Sequence, residues 1–209
     1  LGLLFGKIKK NDMKLTFKSL LLALLYSLCV LLPLQSAQAI DFTIRYVGLG
    51  AEQGSSSAGG STGSIVSQGR SFSLSLNGFG LGQTTLNTDI EVDNLIYNQE
   101  SSILDLSYTS KNGMIITLGA GVVIDGTSKL QFNGNGYTAQ STGGGSLFTL
   151  LGYEFSLGTK STSSWEILAG ARYNRITNKQ FQNDSDMSVL DSNIESSTTQ
   201  LLLGMGHTF

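Results

Sequence analysis

From residue 41 onward the chain changes character at every second position. In WEILAGARYN, Trp165, Ile167, Ala169, Ala171 and Tyr173 fall on one face, and Glu166, Leu168, Gly170, Arg172 and Asn174 on the other. MIITLGAGVVID sets Met114, Ile116, Leu118, Ala120, Val122 and Ile124 against Thr117, Gly119, Gly121 and Asp125. DFTIRY sets Phe42, Ile44 and Tyr46 against Asp41, Thr43 and Arg45. A period of two is the pleat of a half-buried strand. No stretch beyond Ile40 holds the i, i+3, i+4 repeat of an amphipathic helix for three turns.

Eight such segments are predicted, over 41–52, 70–82, 89–97, 102–108, 114–125, 146–157, 165–176 and 198–209. Their connections alternate in length. On one side lie 53–69, 98–101, 126–145 and 177–197; on the other are shorter links near 83–88, 110–113 and 158–164. Long loops at one end and tight turns at the other are the layout of an outer-membrane barrel. The stretches 54–64 and 133–145 are rich in Gly and Ser and read as mobile loops. The chain's one proline, Pro33, precedes all the strands, which suits an uninterrupted sheet. The predicted fold is all-β: an eight-stranded antiparallel up-and-down transmembrane barrel.

Residues 13–39 read as a cleavable signal peptide. Lys14 and Lys18 precede an apolar run from Leu20 to Leu34, and Ala37 and Ala39 form an A-x-A exit. The run is shorter than the ~20 residues a spanning helix needs. Residues 1–12 read as an upstream extension and 40–209 as the barrel domain. The sole cysteine, Cys29, lies within the leader, so the exported part has no disulfide framework and no thiol metal site. Without residues 1–39, 8 of the 13 basic and 14 of the 15 acidic side chains remain, a net charge of about −6. Nucleic acid, which needs a basic face, is excluded as a partner.

The segment LLLGMGHTF places Leu201, Leu203, Met205, His207 and Phe209 on one face, with Gln200, Leu202, Gly204, Gly206 and Thr208 on the other. A closed barrel must pair its last strand with its first, and an aromatic suits the membrane–water boundary. This alternating end with Phe209 resembles the assembly signal of bacterial outer-membrane barrels. With the leader and the length of the exported part, the chain resembles the small eight-stranded OmpA, OmpX and opacity-protein type. His207 stands where that group often carries an aromatic.

Few residues invite catalytic chemistry. His207 is the only histidine, and its parity points it outward at the rim, away from any Ser/His/acid set. The GxG pairs Gly48/Gly50, Gly78/Gly80/Gly82, Gly119/Gly121 and Gly204/Gly206 do not open a helix, as a dinucleotide fingerprint must. They sit within strands, where glycine allows close approach. DSDMSVLDSNIE carries Asp184, Asp186, Asp191 and Glu195, but Val189 occupies the place of the calcium-loop glycine. The NDS triplet at Asn183 matches a glycosylation acceptor that has little meaning in a bacterial outer membrane. No cofactor or metal is expected.

More informative are the charges predicted to face the lumen: Arg45, Glu91, Asp93, Asp105, Glu154, Glu166 and Arg172. Eight strands enclose a space just wide enough for side chains to fill, and buried charges there must pair. The resulting expectation is a non-enzymatic, monomeric scaffold with a lumen plugged by ion pairs. It would sit among outer-membrane lipid and lipopolysaccharide, be inserted by periplasmic chaperones and the barrel-assembly machinery, and present loops to a surface or host ligand. A narrow pore for small solutes or ions is the alternative, and a lipid-active enzyme the second. A secreted pilin-like β-sandwich would also alternate, but would not need aromatics at both ends of outward stripes.

Overall fold

The computed structural model describes residues 41–209 except 59–60, 93–94, 133, 157–162 and 186. Within the strands, the side chains at 51–58, 61–65, 91–92, 95, 142 and 190–193 are also outside the described set. The upstream extension, the signal peptide and Cys29 all fall beyond it.

The described residues form eight antiparallel strands: β1 Phe42–Ala58, β2 Ser61–Leu76, β3 Phe79–Val92, β4 Leu95–Asn112, β5 Met114–Phe132, β6 Asn135–Phe155, β7 Ser164–Asn183 and β8 Val189–Thr208. Each pairs with its sequence neighbours, and β1 pairs with β8, so the sheet closes into a barrel. Partners followed round the ring run Thr43, Ser75, Gly80, Ser107, Gly119, Phe148, Arg172, Gln200. Gln200 lies two residues before Leu202, whose partner is Leu49, so the path returns to β1 well beyond Thr43. That stagger is what tilted strands require for closure.

Several predicted boundaries move. The segment 70–82 is two strands, split by a turn at Asn77–Gly78, where both residues have positive φ (50° and 85°). Asn-Gly is the pair best suited to a two-residue hairpin whose twist matches the strands, and reading through it shifted the next three elements. The presumed link 83–88 lies inside β3, the segment 89–97 straddles the β3–β4 connection, and the presumed loop 98–101 lies inside β4. The three long loops are largely strand as well. Pairing continues to Ala58↔Ser61, Phe132↔Asn135 and Gln182↔Val189, so 53–69, 126–145 and 177–197 are hairpin arms. On β5 a bulge sets Ser102 against Asp125 and Ile103 against Val123. Ile124 and Asp125 are therefore both exposed, and Asp125 does not share the inward face of Gly121.

Between the end carrying Phe42 and Phe209 and roughly mid-barrel, the outer wall is apolar. Ile167 (63% exposed), Leu147 (64%), Leu203 (70%), Leu118 and Leu106 are among its exposed side chains. Trp165, Phe79, Tyr108, Tyr153 and Phe209 mark its lower edge, and Tyr173 its upper. From Trp165 to Tyr173 the tilted strand rises about 21 Å, close to the ~25 Å apolar band of a membrane barrel. A contiguous apolar girdle of this extent is untenable in water. The inner faces alternate with it, carrying an apolar cluster of Val47, Leu49, Leu86, Ile115, Leu150, Leu168, Ile176 and Leu202, and a second around Tyr97 and Phe181 nearer the arms.

At the seam Thr43 pairs with Thr208, the Phe209 N–H donates to the Phe42 carbonyl (2.9 Å), and the Phe42 and Phe209 rings lie 5.9 Å apart. Deleting Phe209, or replacing it by Asp, removes an apolar rim contact where the first and last strands meet. The expected outcome is slower and less complete folding into lipid vesicles, measured by heat-modifiable gel mobility, with Met187→Asp at a hairpin arm as an unaffected control. Equal folding of all three proteins would show that Phe209 is dispensable at the seam.

Candidate functional site

The charges inside the barrel are the chemistry this fold positions most closely. Of the seven residues expected to face the lumen, four come together in two pairs. Arg45 on β1 donates through Nε to Glu166 Oε2 (2.7 Å) and through Nη2 to Glu166 Oε1 (3.2 Å) on β7. Its Nη1 donates to the Thr109 hydroxyl at 2.7 Å. Lys111, read from sequence as part of a turn, extends up from β4. Its Nζ lies 3.0 Å from Glu166 Oε1 and 3.1 Å from Asp41 Oδ2, and donates to Thr208 Oγ1 at 3.0 Å. Glu166 is fully buried and meets two cations.

Higher in the lumen Arg172, 2% exposed, reaches across from β7 to β4. Nη2 donates to Asp105 Oδ1 (2.6 Å) and Nη1 to Asp105 Oδ2 (3.0 Å), a bidentate fork. The remaining guanidinium hydrogens go to Thr84 Oγ1 (2.9 Å), Ser146 Oγ (2.6 Å) and Asn174 Oδ1 (2.9 Å). Thr84 in turn donates to Asp105 Oδ2 at 2.5 Å, and the cation lies over the Phe148 ring, 5.1 Å from its centre. Asn174 passes the chain on to Gln200 and Gln200 to Ser67, which bonds Thr88. A third polar link joins Asn178, Tyr97 and Ser128 near the arms.

The glycine pairs inside strands now have a concrete role. A Cβ at Gly121 would collide with Asp105 Oδ1 and Ser146 Oγ, and one at Gly119 with the Phe148 ring. A Cβ at Gly206 would stand 2.7 Å from Glu166 Oε2 and 3.0 Å from Arg45 Cγ. These positions are bare because the two ion-pair centres occupy the space above them.

The other expected lumen residues fare differently. Glu154 is half-buried at the lower mouth, where Ser164 donates to it, and no cation pairs with it among the described residues. The side chains of Glu91 and Asp93 lie outside the described residues. Near them Thr88 and Ile90 face inward and Asp89 outward, the reverse of the parity expected for this segment. That reversal follows from the missed Asn77–Gly78 turn. Arg172, expected to meet acids such as Glu166, meets Asp105 instead, because Glu166 stands six residues away on the same strand, about 20 Å along it, whereas Asp105 faces Arg172 across the lumen. Sequence reasoning also passed over Lys111 and Thr84, since both fell in segments taken for connections.

Leu201, Leu203 and Met205 are exposed on the outer face. His207 is half-buried between the rings of Trp165 (4.5 Å) and Phe209 (4.4 Å). Among the described residues no group of three or more His, Cys, Asp and Glu could hold a metal ion. On the outer wall a cavity of about 380 Å³ lies where the β5–β6 ladder is interrupted, between Val122↔Gly145 and Thr127↔Gln140, with Tyr173 and Arg175 beside it. The Arg175 guanidinium is engaged there by Glu195 on the surface (2.7 and 2.8 Å).

No family model matches the chain, and no curated protein matches it. Among solved structures it is similar to Neisserial surface protein A (16% identity, TM-score 0.43, covering 82% of this chain and 98% of that one). It is also similar to the outer membrane protein OprG from Pseudomonas aeruginosa (13%, 0.41, 82% and 97%). A third is the outer membrane protein AlkL (14%, 0.36, 84% and 93%). The barrel itself is defined by the chain's own closed register.

Arg172→Leu strands the Asp105 carboxylate in a buried site, a loss of about 3–5 kcal/mol. Adding Asp105→Asn is expected to recover much of it, whereas adding Glu166→Gln recovers none, because Glu166 serves Arg45 and Lys111. Urea unfolding of the four proteins in lipid vesicles measures this. Equal rescue by both second substitutions would mean that Arg172 and Asp105 are not a specific pair.

Proposed function

We propose that this chain is an integral, non-enzymatic barrel of the bacterial outer membrane, a scaffold with a plugged lumen whose hairpin arms are its interaction surface. The observation that carries the reading is Arg172, whose guanidinium is bonded by side chains from β3, β4, β6 and β7 at the height of the apolar girdle. Moving a solute or ion through that level means breaking a charge pair and its hydrogen bonds together. Such a breach costs several kcal/mol. The girdle supports residence in a membrane, and strands of 14–21 residues exceed the 9–11 needed to span one. The excess forms a β-walled extension beyond the girdle.

Export by the signal peptide over 13–39, insertion by the barrel-assembly machinery through the Leu201–Phe209 face, contact with outer-membrane lipid and lipopolysaccharide, and a monomeric state belong to the same reading. So does the non-catalytic role of His207, which is packed between two rings and faces no acid or serine of a catalytic set among the described residues.

Planar-bilayer recording tests the plug. The wild type is expected to give rare, small currents, and Arg172→Leu with Asp105→Asn to conduct more often. Steady, ion-selective conductance of the wild type would replace the scaffold by a pore. Shortening the β1–β2 arm between residues 55 and 64 is expected to leave folding intact, since that tip is mostly Ser and Gly. If instead the trimmed barrel fails to acquire heat-modifiable mobility, the arm is part of the fold rather than an appendage to it.

A further inference from the structure

One part of the girdle breaks its own rule. Five to eight residues above the lower ends of their strands, β5, β7 and β8 face outward with Ala120, Ala171 and Leu203, and β6 with Leu147. β2 at that step carries Arg70, exposed, with Thr85 directly across on β3 and Gln83 diagonal to it. Arg70 is about 15 Å above the lower rim, inside the upper part of an apolar band about 25 Å tall. Among the described residues no carboxylate pairs with it, unlike Arg175, which Glu195 engages.

Beside Arg70 the wall is hollow. The outward positions of β1 above Tyr46 are Gly48 and Gly50, and Gly48 pairs with Arg70 on one side and Leu203 on the other. A Cβ at either glycine would meet only a carbonyl oxygen, at 3.7 and 3.6 Å, which is ordinary contact. Among the described residues no side chain lies within 4 Å of either position, apart from its chain neighbours. Its walls, Phe72 and Arg70 on β2 and Leu201 and Leu203 on β8, are two strand spacings apart, about 9–10 Å. That width accepts one extended acyl chain.

We propose that this notch binds one phosphate-bearing lipid of the leaflet nearer the hairpin arms, its acyl chain along Gly48 and Gly50 and its phosphate on Arg70. A long arginine stem can lie along apolar surface while its head reaches the boundary where lipid phosphates sit. The planar guanidinium offers a phosphate two parallel hydrogen bonds. The Thr85 hydroxyl, directly across on β3, supplies a further donor. An unpaired cation in the girdle, adjacent to an acyl-sized notch, is accounted for by an anionic head with a tail, and by neither part alone.

The site deepens the outer-membrane reading and rests on it, but its test is separate. The full chain, refolded in detergent micelles, is titrated by native mass spectrometry with a bisphosphorylated, hexa-acylated glucosamine disaccharide and with the same lipid stripped of phosphate. Wild type is expected to hold the phosphorylated form at least about tenfold more tightly. Arg70→Gln should abolish that preference, Arg70→Lys keep part of it, and Gly48→Leu weaken both lipids alike. Arg175→Gln should leave the preference intact. All these residues face outward, so heat-modifiable mobility confirms that each variant is folded. Equal binding of the two lipids by wild type, or a preference that survives Arg70→Gln, overturns the proposal. Absence of the protein from outer-membrane fractions would instead overturn the location, a result the micelle titration does not depend on.

Discussion

A wall one strand thick, with apolar solvent outside and packed side chains inside, offers no water to an unpaired backbone N–H or C=O. Each such group buried in lipid costs several kcal/mol, so closure of the hydrogen-bonded ring is the condition on which everything else depends. The irregularities in the ladder follow that condition. They fall between Leu49 and Glu52, between Ser102 and Ile103, beyond Val122 on β5, and at Thr138/Ser141 and Lys179/Phe181. All lie from mid-strand toward the hairpin arms, and none falls near the lower rim. Below Tyr173 the pairing is continuous from strand to strand, and β1 meets β8 without a break from Thr43 to Leu49.

Closure with only eight strands then fixes what the interior can be. The space holds side chains and little else, so any charge placed there is buried. A buried charge is tolerated only with a partner and with its remaining donors satisfied. Arg172 meets that demand with five bonded contacts to four side chains and Arg45 with a fork onto Glu166. Room for these groups comes from glycines in the facing strands. The bare positions at Gly119, Gly121 and Gly206 and the bulky ions opposite are one packing solution, since neither half fits without the other.

This division explains what the sequence could and could not reveal. Within the girdle, one face must be apolar and the other mixed, so alternation is strong, and the inward and outward assignments along Trp165–Asn174 and Leu201–Phe209 can be read directly. Above the girdle both faces meet polar surroundings. There Asn98 and Glu100 face out while Gln99 and Ser101 face in, and the pattern that marks a strand disappears although the strand continues. The arms therefore looked like loops. Asn77–Gly78 is the opposite case, a turn whose chemistry was present in the sequence but was outweighed by apolar residues on both sides. Charge pairing was beyond parity altogether. Which acid meets Arg172 depends on the stagger accumulated around the ring, a property of all eight registers at once.

The same logic separates the two outward arginines. Arg175 stands above Tyr173, within reach of water, and a surface carboxylate is enough to accommodate it; such a pair adds little to stability. Arg70 stands lower, between Gly48 on β1 and Thr85 on β3, at a height where the more distant strands β5 to β8 show alanine and leucine. Inside the barrel the structure answers every arginine with an acid. Outside, at girdle height, the described residues supply Arg70 with a hydroxyl and a strip of glycine, and no carboxylate among them pairs with it. In the proposed site the counter-charge comes from the membrane itself, whose anionic oxygens belong to the lipid head groups at the boundary that a long arginine side chain can reach.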